Sequence, residues 1–280
     1  METQSPPAAA AGTLTMGGDL QVNRLGFGAM RLTGADIWGE PADSAAAQAV
    51  LRRAVELGVN FIDTADSYGP DVSERVIADA LHPYPAGVVI ATKGGLIRPS
   101  RLSWERKADP VHLRQACEGS LRRLRVDCID LYQLHAIDPT VPLEDSLGEL
   151  KRLQDEGKIR HIGVSNFRVR DLQRAARVVN VVSVQNRYNI ADRTHDEVLQ
   201  YCEQQGMAFI PWYPLGAGAH TSIDTVPKEL SRICTQHYIS ATQAALAWLL
   251  ARSPVMLPIP GTASLLHLEE NVAAASHRLQ

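Results

Sequence analysis

Short apolar runs alternate with amphipathic stretches along most of the chain. The runs are rich in β-branched and aliphatic residues, as parallel strands buried on both faces are. This pattern predicts strands at residues 24–28, 60–63, 88–93, 129–134, 159–164, 182–185, 208–211 and 255–258.

Helices are predicted between these strands because the intervening stretches have helical spacing and recognisable ends. Asp43 can cap a first helix that Gly58 would end, and Asp109 precedes a proline suited to a first helical turn. The predicted helices are residues 44–57, 110–124, 142–156, 194–205, 228–237, 241–251 and 265–275.

Eight strands that alternate with helices predict an α/β fold, a (β/α)8 TIM barrel. A doubly wound Rossmann sheet is the competing architecture, but Gly26-Phe27-Gly28 lacks the third glycine of its G-x-G-x-x-G fingerprint. Residues 13–23, with a glycine turn in the middle, predict a β-hairpin that closes the bottom of the barrel. We therefore expect a flexible tail over residues 1–12 and a single barrel domain over 13–280.

Composition narrows the class of protein. The 280 residues carry a formal net charge of -3, so no basic footprint for nucleic acid is present. The sequence has no apolar run long enough to span a membrane and no signal-peptide pattern, so we expect a cytoplasmic protein. Its four cysteines lack the spacing of metal ligands, so we expect reduced thiols and no metal site. Nothing in the sequence indicates an oligomer.

Four polar residues lie at or just after the carboxyl ends of predicted strands, where barrel enzymes place their reactive groups. They are Asp63, Tyr68, Lys93 and His135. Lys93 and Asp63 can neutralise each other, and an ammonium near Tyr68 is expected to lower the tyrosine pKa and make it a usable acid. His135 can hydrogen-bond a carbonyl oxygen. Each residue alone is more often structural, but four at one end of one barrel indicate a catalytic site.

Ordered motifs from about residue 13 to residue 275 resemble those of the aldo-keto reductase superfamily. They are FIDTADSYG (61–69), ATKGG (91–95), YQLH (132–135), GVSNF (163–167), QNRYN (185–189) and IPGTASLLHLEEN (259–271). Three further segments are similar to the bacterial pyridoxal reductase-like branch, namely VNRLGFGAMRL (22–32), ALHPYP (80–85) and ALAWLLARSP (245–254).

The resemblance implies NADPH-dependent reduction of an aldehyde or ketone to an alcohol, with NADH the less favoured cofactor. Tyr68 matches the proton donor, Asp63 and Lys93 the pair that tunes it, and His135 the residue that orients the carbonyl. The positions that match cofactor-binding residues are Ser165, Asn166, Gln185, Tyr213, Leu215, Gly261, Thr262, Ser264, His267, Glu270 and Asn271.

Within that set, Gly261 and His267 stand where many relatives place a lysine and an arginine against the adenosine 2′-phosphate. Glu270 and Asn271 match adenine-contacting positions, and Tyr213 matches the aromatic residue that stacks on the nicotinamide ring. Binding of the adenosine 2′-phosphate is therefore expected to be weaker than in those relatives.

The substrate pocket is predicted to include Trp38, Trp104 and Trp212. Loop arginines beside these aromatic residues would suit a flat, anionic or hydroxylated carbonyl, and pyridoxal is one candidate beside sugar aldehydes and natural-product ketones. Most loop arginines, however, are solvated surface charge. The alternative function implied by the resemblance is a regulatory subunit that binds a nicotinamide nucleotide with slow turnover.

Overall fold

Parallel strands curl into a barrel in the computed structural model, which describes residues 5–216 and 227–279. In chain order, the strands are β1 (Thr13–Met16), β2 (Leu20–Asn23), β3 (Phe27–Gly28), β4 (Phe61–Asp63), β5 (Val89–Gly94), β6 (Leu96–Ile97), β7 (Glu105–Arg106), β8 (Ile129–Leu134), β9 (Ile159–Ser165), β10 (Val181–Arg187) and β11 (Ala208–Trp212). The main sheet of the described residues has the order β11-β10-β9-β8-β5-β4-β3.

An extended segment at residues 255–260 fills the gap between the two edge strands. Phe209 in β11 donates its N–H to the carbonyl of residue 255 and accepts from the N–H of residue 257, both at 2.9 Å. On the other side, two glycine N–H groups at and before β3 donate to the carbonyls of Pro258 and Pro260 at 2.9 and 3.4 Å. The prolines have no N–H, so this predicted eighth strand forms only a partial ladder. The predicted (β/α)8 barrel is confirmed.

Helices surround the barrel. They are α1 (Ser44–Glu56), α2 (Val72–Leu81), α3 (Pro110–Leu124), α4 (Leu143–Asp155), α5 (Val169–Ala175), α6 (Asp196–Gln205), α7 (Lys228–His237), α8 (Ala241–Arg252) and α9 (Leu265–Ala273). Helices α2 and α5 were not predicted. The seven residues of α5 are too few for a clear helical period, whereas Asp71 and Glu74 at the start of α2 do form a recognisable start signal.

The predicted N-terminal hairpin is confirmed as the antiparallel pair β1–β2. Its side chains Met16, Leu20 and Val22 are buried and pack against inward-facing residues of the barrel strands, such as Phe61 and Leu131. The hairpin thus seals the end of the barrel opposite the carboxyl ends of the strands.

The N-terminal segment differs from the flexible tail that we expected over residues 1–12. Residues 1–4 lie outside the described part of the chain, but Pro7–Ala11 form a 3-10 helix with Ala8 and Ala11 buried. The N–H of Ala8 donates to the carbonyl of Leu57 at 2.9 Å. Alanine gives little periodic signal in a sequence, yet its small side chain allows close packing against the end of α1.

A second short hairpin, β6–β7, rises from the loop that follows β5. It pairs Leu96 with Arg106 and Ile97 with Glu105, where the sequence analysis expected only a loop. It carries residues 98–104 at its tip. No helix in the described part of the chain has the length and hydropathy to cross a membrane.

Backbone segments approach each other closely where the barrel closes. A Cβ atom on Gly261 would lie 2.3 Å from the carbonyl oxygen of Gly28, and one on Gly28 would lie 2.7 Å from the carbonyl oxygen of Ile259. These contacts involve backbone atoms, which cannot move aside as a side chain can. The closure of the barrel therefore requires glycine at both positions.

We predict that Gly261→Ala lowers the free energy of unfolding by about 1–3 kcal/mol, because the added methyl group overpacks this contact. Gly148→Ala is the matched control, since its Cβ would meet nothing within 4 Å inside helix α4. That change should raise the free energy of unfolding by ~0.5–1 kcal/mol through helix propensity. Urea unfolding measures both, and equal effects of the two substitutions would contradict the steric argument.

Candidate active site

A buried ion pair lies at the carboxyl ends of β4 and β5. The ammonium of Lys93 donates to Asp63 Oδ2 at 2.6 Å and to the carbonyl oxygen of Thr64 at 2.8 Å. The Lys93 side chain is fully buried. Burial alone would lower the pKa of Lys93, but attraction to Asp63 and contact with Tyr68 raise it, so the group remains an ammonium.

Two glutamine side chains complete the surroundings of Asp63. Gln133 in β8 and Gln185 in β10 donate to Asp63 Oδ1 at 3.0 and 2.8 Å. Asp63 therefore accepts hydrogen bonds from three other strands of the barrel. Gln133 was not among the predicted site residues, although it lies two residues before His135 and the two-residue period of a strand places both on one face.

Tyr68 lies on the loop that follows β4, with its hydroxyl 3.5 Å from the Lys93 ammonium. We expected the ammonium to lower the pKa of Tyr68, and the structure corrects this. Burial raises the pKa of Tyr68 and outweighs the attraction of Lys93, and the repulsive effect of Asp63 acts in the same direction as burial. The tyrosine is therefore a protonated phenol at neutral pH.

His135 follows β8 and lies beside Tyr68. Their rings meet edge to face with centroids 5.9 Å apart, and His135 Nδ1 is 3.5 Å from the Ser67 hydroxyl. Burial, together with the nearby Lys93 ammonium, lowers the pKa of His135 well below its usual range. The neutral imidazole can donate one hydrogen bond and accept another.

Polar side chains after β9 connect His135 to the next strands. Asn166 has a left-handed backbone with φ 63°, a conformation that asparagine tolerates. Its amide donates to the carbonyl oxygen of His135 at 3.2 Å and accepts from Trp212 Nε1 at 3.0 Å. The Ser165 hydroxyl donates to the Gln185 carbonyl oxygen at 2.8 Å. These predicted cofactor residues are thus held in fixed orientations.

Tyr213 lies just beyond β11 with φ 59° and 47% of its surface exposed. A left-handed backbone is uncommon for a bulky residue and is often found at functional sites. Its ring lies 5.3 Å from the Arg187 guanidinium carbon, and its carbonyl oxygen accepts from Asn189 at 3.2 Å. The aromatic ring of Tyr213 therefore lies half exposed at the edge of the site.

A cavity of about 770 Å³ joins these groups. Most of the predicted site residues line it, namely Asp63, Tyr68, Trp104, His135, Ser165, Asn166, Gln185, Trp212, Tyr213, Leu215, Gly261, Thr262 and His267. Met30, Arg31, Leu96 and Ile259 also line it, and the sequence analysis did not select them. Lys93 lies behind the cavity, and Trp38, Ser264, Glu270 and Asn271 are not part of its lining.

The far end of the cavity lies at the start of helix α9. The Ser264 hydroxyl caps this helix by accepting from the N–H of His267 at 3.4 Å, and the N–H of Ser264 donates to the Thr262 hydroxyl at 3.0 Å. Glu270 accepts from the Ser240 hydroxyl at 2.5 Å, and Asn271 is buried. A helix N-terminus with nearby hydroxyl groups favours an anion.

The cysteines are free thiols. Within residues 5–216 and 227–279, no group of His, Cys, Asp or Glu side chains is arranged to hold a metal ion.

Comparisons with known proteins agree with this geometry. A model of the Aldo/keto reductase family matches residues 24–280. A Schizosaccharomyces pombe protein described as an uncharacterized oxidoreductase is 52% identical over 276 residues, which cover 97% of this chain and 87% of that protein. The Escherichia coli pyridoxine 4-dehydrogenase is 40% identical over 271 residues, which cover 95% of this chain and 93% of that enzyme.

A solved structure has the same fold. The crystal structure of an aldo-keto reductase from Klebsiella pneumoniae in complex with NADPH matches with a TM-score of 0.81 and 28% identity. The match covers 96% of this chain and 90% of that chain.

The neutral state of His135 gives a pH-dependent prediction. The unfolded chain protonates this residue near its usual value of 6.5, whereas the folded chain does so only at lower pH. As the pH decreases below the usual histidine pKa, the unfolded state therefore binds more protons than the folded state. The free energy of unfolding then falls by up to about 1.4 kcal/mol for each unit of decrease in pH. His135→Gln should flatten the decrease in unfolding free energy between about pH 7 and about pH 5.

Urea unfolding of the wild type and the variant at several pH values measures this effect. The pKa values of His112 and His195 are also lowered by burial, but these residues are present in both proteins and cancel in the difference. Parallel stability curves would show that His135 is not the neutral buried group we describe.

Proposed function

The chain belongs to the aldo/keto reductase family, and on that premise we propose that it reduces an aldehyde or ketone to an alcohol with NADPH. The observation that carries the proposal is the position of Tyr68, whose protonated hydroxyl is 3.5 Å from a buried ammonium and lines the cavity beside His135. These groups can hold a carbonyl oxygen and supply its proton.

The lining of the cavity supports binding of a dinucleotide, because it extends from Tyr68 and His135 to residues at the start of α9. We propose that Ser165, Asn166 and Tyr213 hold the nicotinamide end, and that Thr262 and His267 hold the phosphate end near the start of α9. The half-exposed ring of Tyr213 supports the first assignment, and the helix N-terminus supports the second. When bound, NADPH supplies the hydride that reduces the carbonyl carbon.

Tyr68 acts as the general acid in this proposal. Its raised pKa keeps the proton on the hydroxyl at neutral pH, so the residue is ready to donate to the oxygen of the substrate. Donation leaves a phenolate beside Lys93, and the attraction between the two charges stabilises that state. Asp63 keeps Lys93 in place through the hydrogen bond at 2.6 Å.

His135 has an orienting role. Because the ring is neutral, it can donate one hydrogen bond to the carbonyl oxygen without acting as a second acid beside Tyr68. Its ring contacts that of Tyr68 edge to face, and both residues line the cavity.

We predict that Tyr68→Phe lowers kcat by about 10²–10⁴-fold, the usual contribution of a general acid. The phenyl ring keeps the packing, so the affinity for NADPH should remain near that of the wild type. Single-turnover oxidation of bound NADPH by a panel of carbonyls measures the first effect, and fluorescence titration measures the second. Retained turnover in the variant would reject Tyr68 as the acid.

Pyridoxal belongs in that panel, beside sugar aldehydes, aryl aldehydes and ketones. The similarity to pyridoxine 4-dehydrogenase supports it as a candidate substrate. Tight nucleotide binding with negligible oxidation by every carbonyl would instead favour a regulatory subunit.

Cofactor choice gives a further prediction. His267 lines the phosphate end of the cavity, and we propose that it contacts the adenosine 2′-phosphate, which NADH lacks. His267→Ala should therefore weaken NADPH binding by roughly tenfold while leaving NADH binding nearly unchanged. Titration of the wild type and the variant with both nucleotides provides the comparison. A wild-type preference for NADH would overturn the assignment of NADPH.

A further inference from the structure

The side chain of Arg98 is buried just after strand β6, against Trp104 of the cavity lining. Only 7% of the residue is exposed. Its guanidinium donates to backbone carbonyl oxygens of Ser103 at 3.0 Å, Ile37 at 2.9 Å and Asp36 at 3.1 Å, and also to that of Arg101. The donors of Arg98 are therefore used within the protein, and this arginine is not the anion-binding group that a basic rim would require.

These hydrogen bonds join two loops that are far apart in the sequence. Asp36 and Ile37 both have left-handed backbones, with φ of 57° and 58°. Such a conformation is strained for a β-branched residue like Ile37 and persists only when neighbouring groups hold it. Arg98 binds the carbonyl groups of both residues, so it stabilises the strained loop against the tip of the β6–β7 hairpin.

Aromatic contacts extend this junction to the reactive tyrosine. The guanidinium carbon of Arg98 lies 4.0 Å from the ring centroid of Trp104 and 5.5 Å from that of Trp38. Trp104 lines the cavity, and its ring meets that of Tyr68 edge to face at 6.5 Å. Trp38, which also contacts the arginine, does not line the cavity.

We infer that Arg98 is a positioning residue that fixes Trp104 as an aromatic wall beside Tyr68 and so selects planar aryl carbonyl substrates. An aryl group next to the reacting carbonyl can pack against this ring, whereas a short aliphatic group cannot reach it. The dependence of the reaction on Arg98 should therefore increase with the aromatic surface of the substrate. This inference rests on the proposed reductase function.

The test compares an aryl aldehyde, benzaldehyde, with propanal in the full-length enzyme with NADPH. Arg98→Met keeps much of the side-chain volume but removes the donors and the charge. We expect kcat/KM for benzaldehyde to fall about tenfold, mainly through KM, and that for propanal to change less than about threefold. Arg98→Lys keeps the charge without the planar fork and should give an intermediate loss for benzaldehyde.

Arg106→Met is the matched control, because Arg106 is an exposed arginine on the same hairpin. It should leave both substrates unaffected. In a Trp104→Ala background the aromatic wall is already absent, so adding Arg98→Met should not change the benzaldehyde-to-propanal ratio further. The Trp104→Ala single variant also keeps the test valid if Arg98→Met is poorly folded. It should show the same loss of preference for benzaldehyde over propanal.

Three results would overturn the inference. They are an equal loss with both aldehydes, no loss in Arg98→Met, and an unchanged ratio in Trp104→Ala. Failure of the reductase function itself gives a different result, because the wild-type enzyme would then oxidise NADPH with neither aldehyde. In that case near-ultraviolet circular dichroism still tests the packing, since Arg98→Met should remove a signal that Trp104→Ala also removes.

Discussion

The buried ion pair between Lys93 and Asp63 is the constraint on which the catalytic end of the barrel depends. A buried ammonium without a partner costs several kcal/mol, so the fold must bring a carboxylate to it. Asp63 accepts hydrogen bonds from Lys93, Gln133 and Gln185, which belong to β5, β8 and β10. One carboxylate thus joins the ends of four strands, counting its own. The hydroxyl of Tyr68 contacts the same ammonium, so the barrel framework fixes the position of the proposed proton donor.

The sequence was sufficient to predict the barrel, the N-terminal hairpin and the meeting of Asp63, Tyr68, Lys93 and His135. Strand ends determine which residues share one end of a parallel barrel, and this follows from hydrophobic periodicity alone. The direction of the pKa shift of Tyr68 did not follow. It depends on the depth of burial and on how far Asp63 cancels Lys93 at the hydroxyl, and both are properties of three-dimensional distance.

The floor of the site, formed by Asp63, Lys93 and their partners, could be predicted better than its rim, formed by Arg98 and Trp104. Arg98 was one of several loop arginines in the sequence, and most such residues are solvated. The structure buries it because two left-handed residues, Asp36 and Ile37, direct their carbonyl groups toward it. No local pattern predicts a left-handed isoleucine, since the conformation is imposed by contacts with a distant loop.

This difference between floor and rim has a consequence for how the enzyme can vary. The floor contains Lys93 and Asp63, which neutralise each other, so changing one of them leaves a buried charge. The rim is formed by one arginine that holds two loops through backbone carbonyls and stacks on Trp104. Changes there alter the shape beside Tyr68 without exposing the ion pair, so under the proposed function substrate preference can change while the proposed proton donor stays the same.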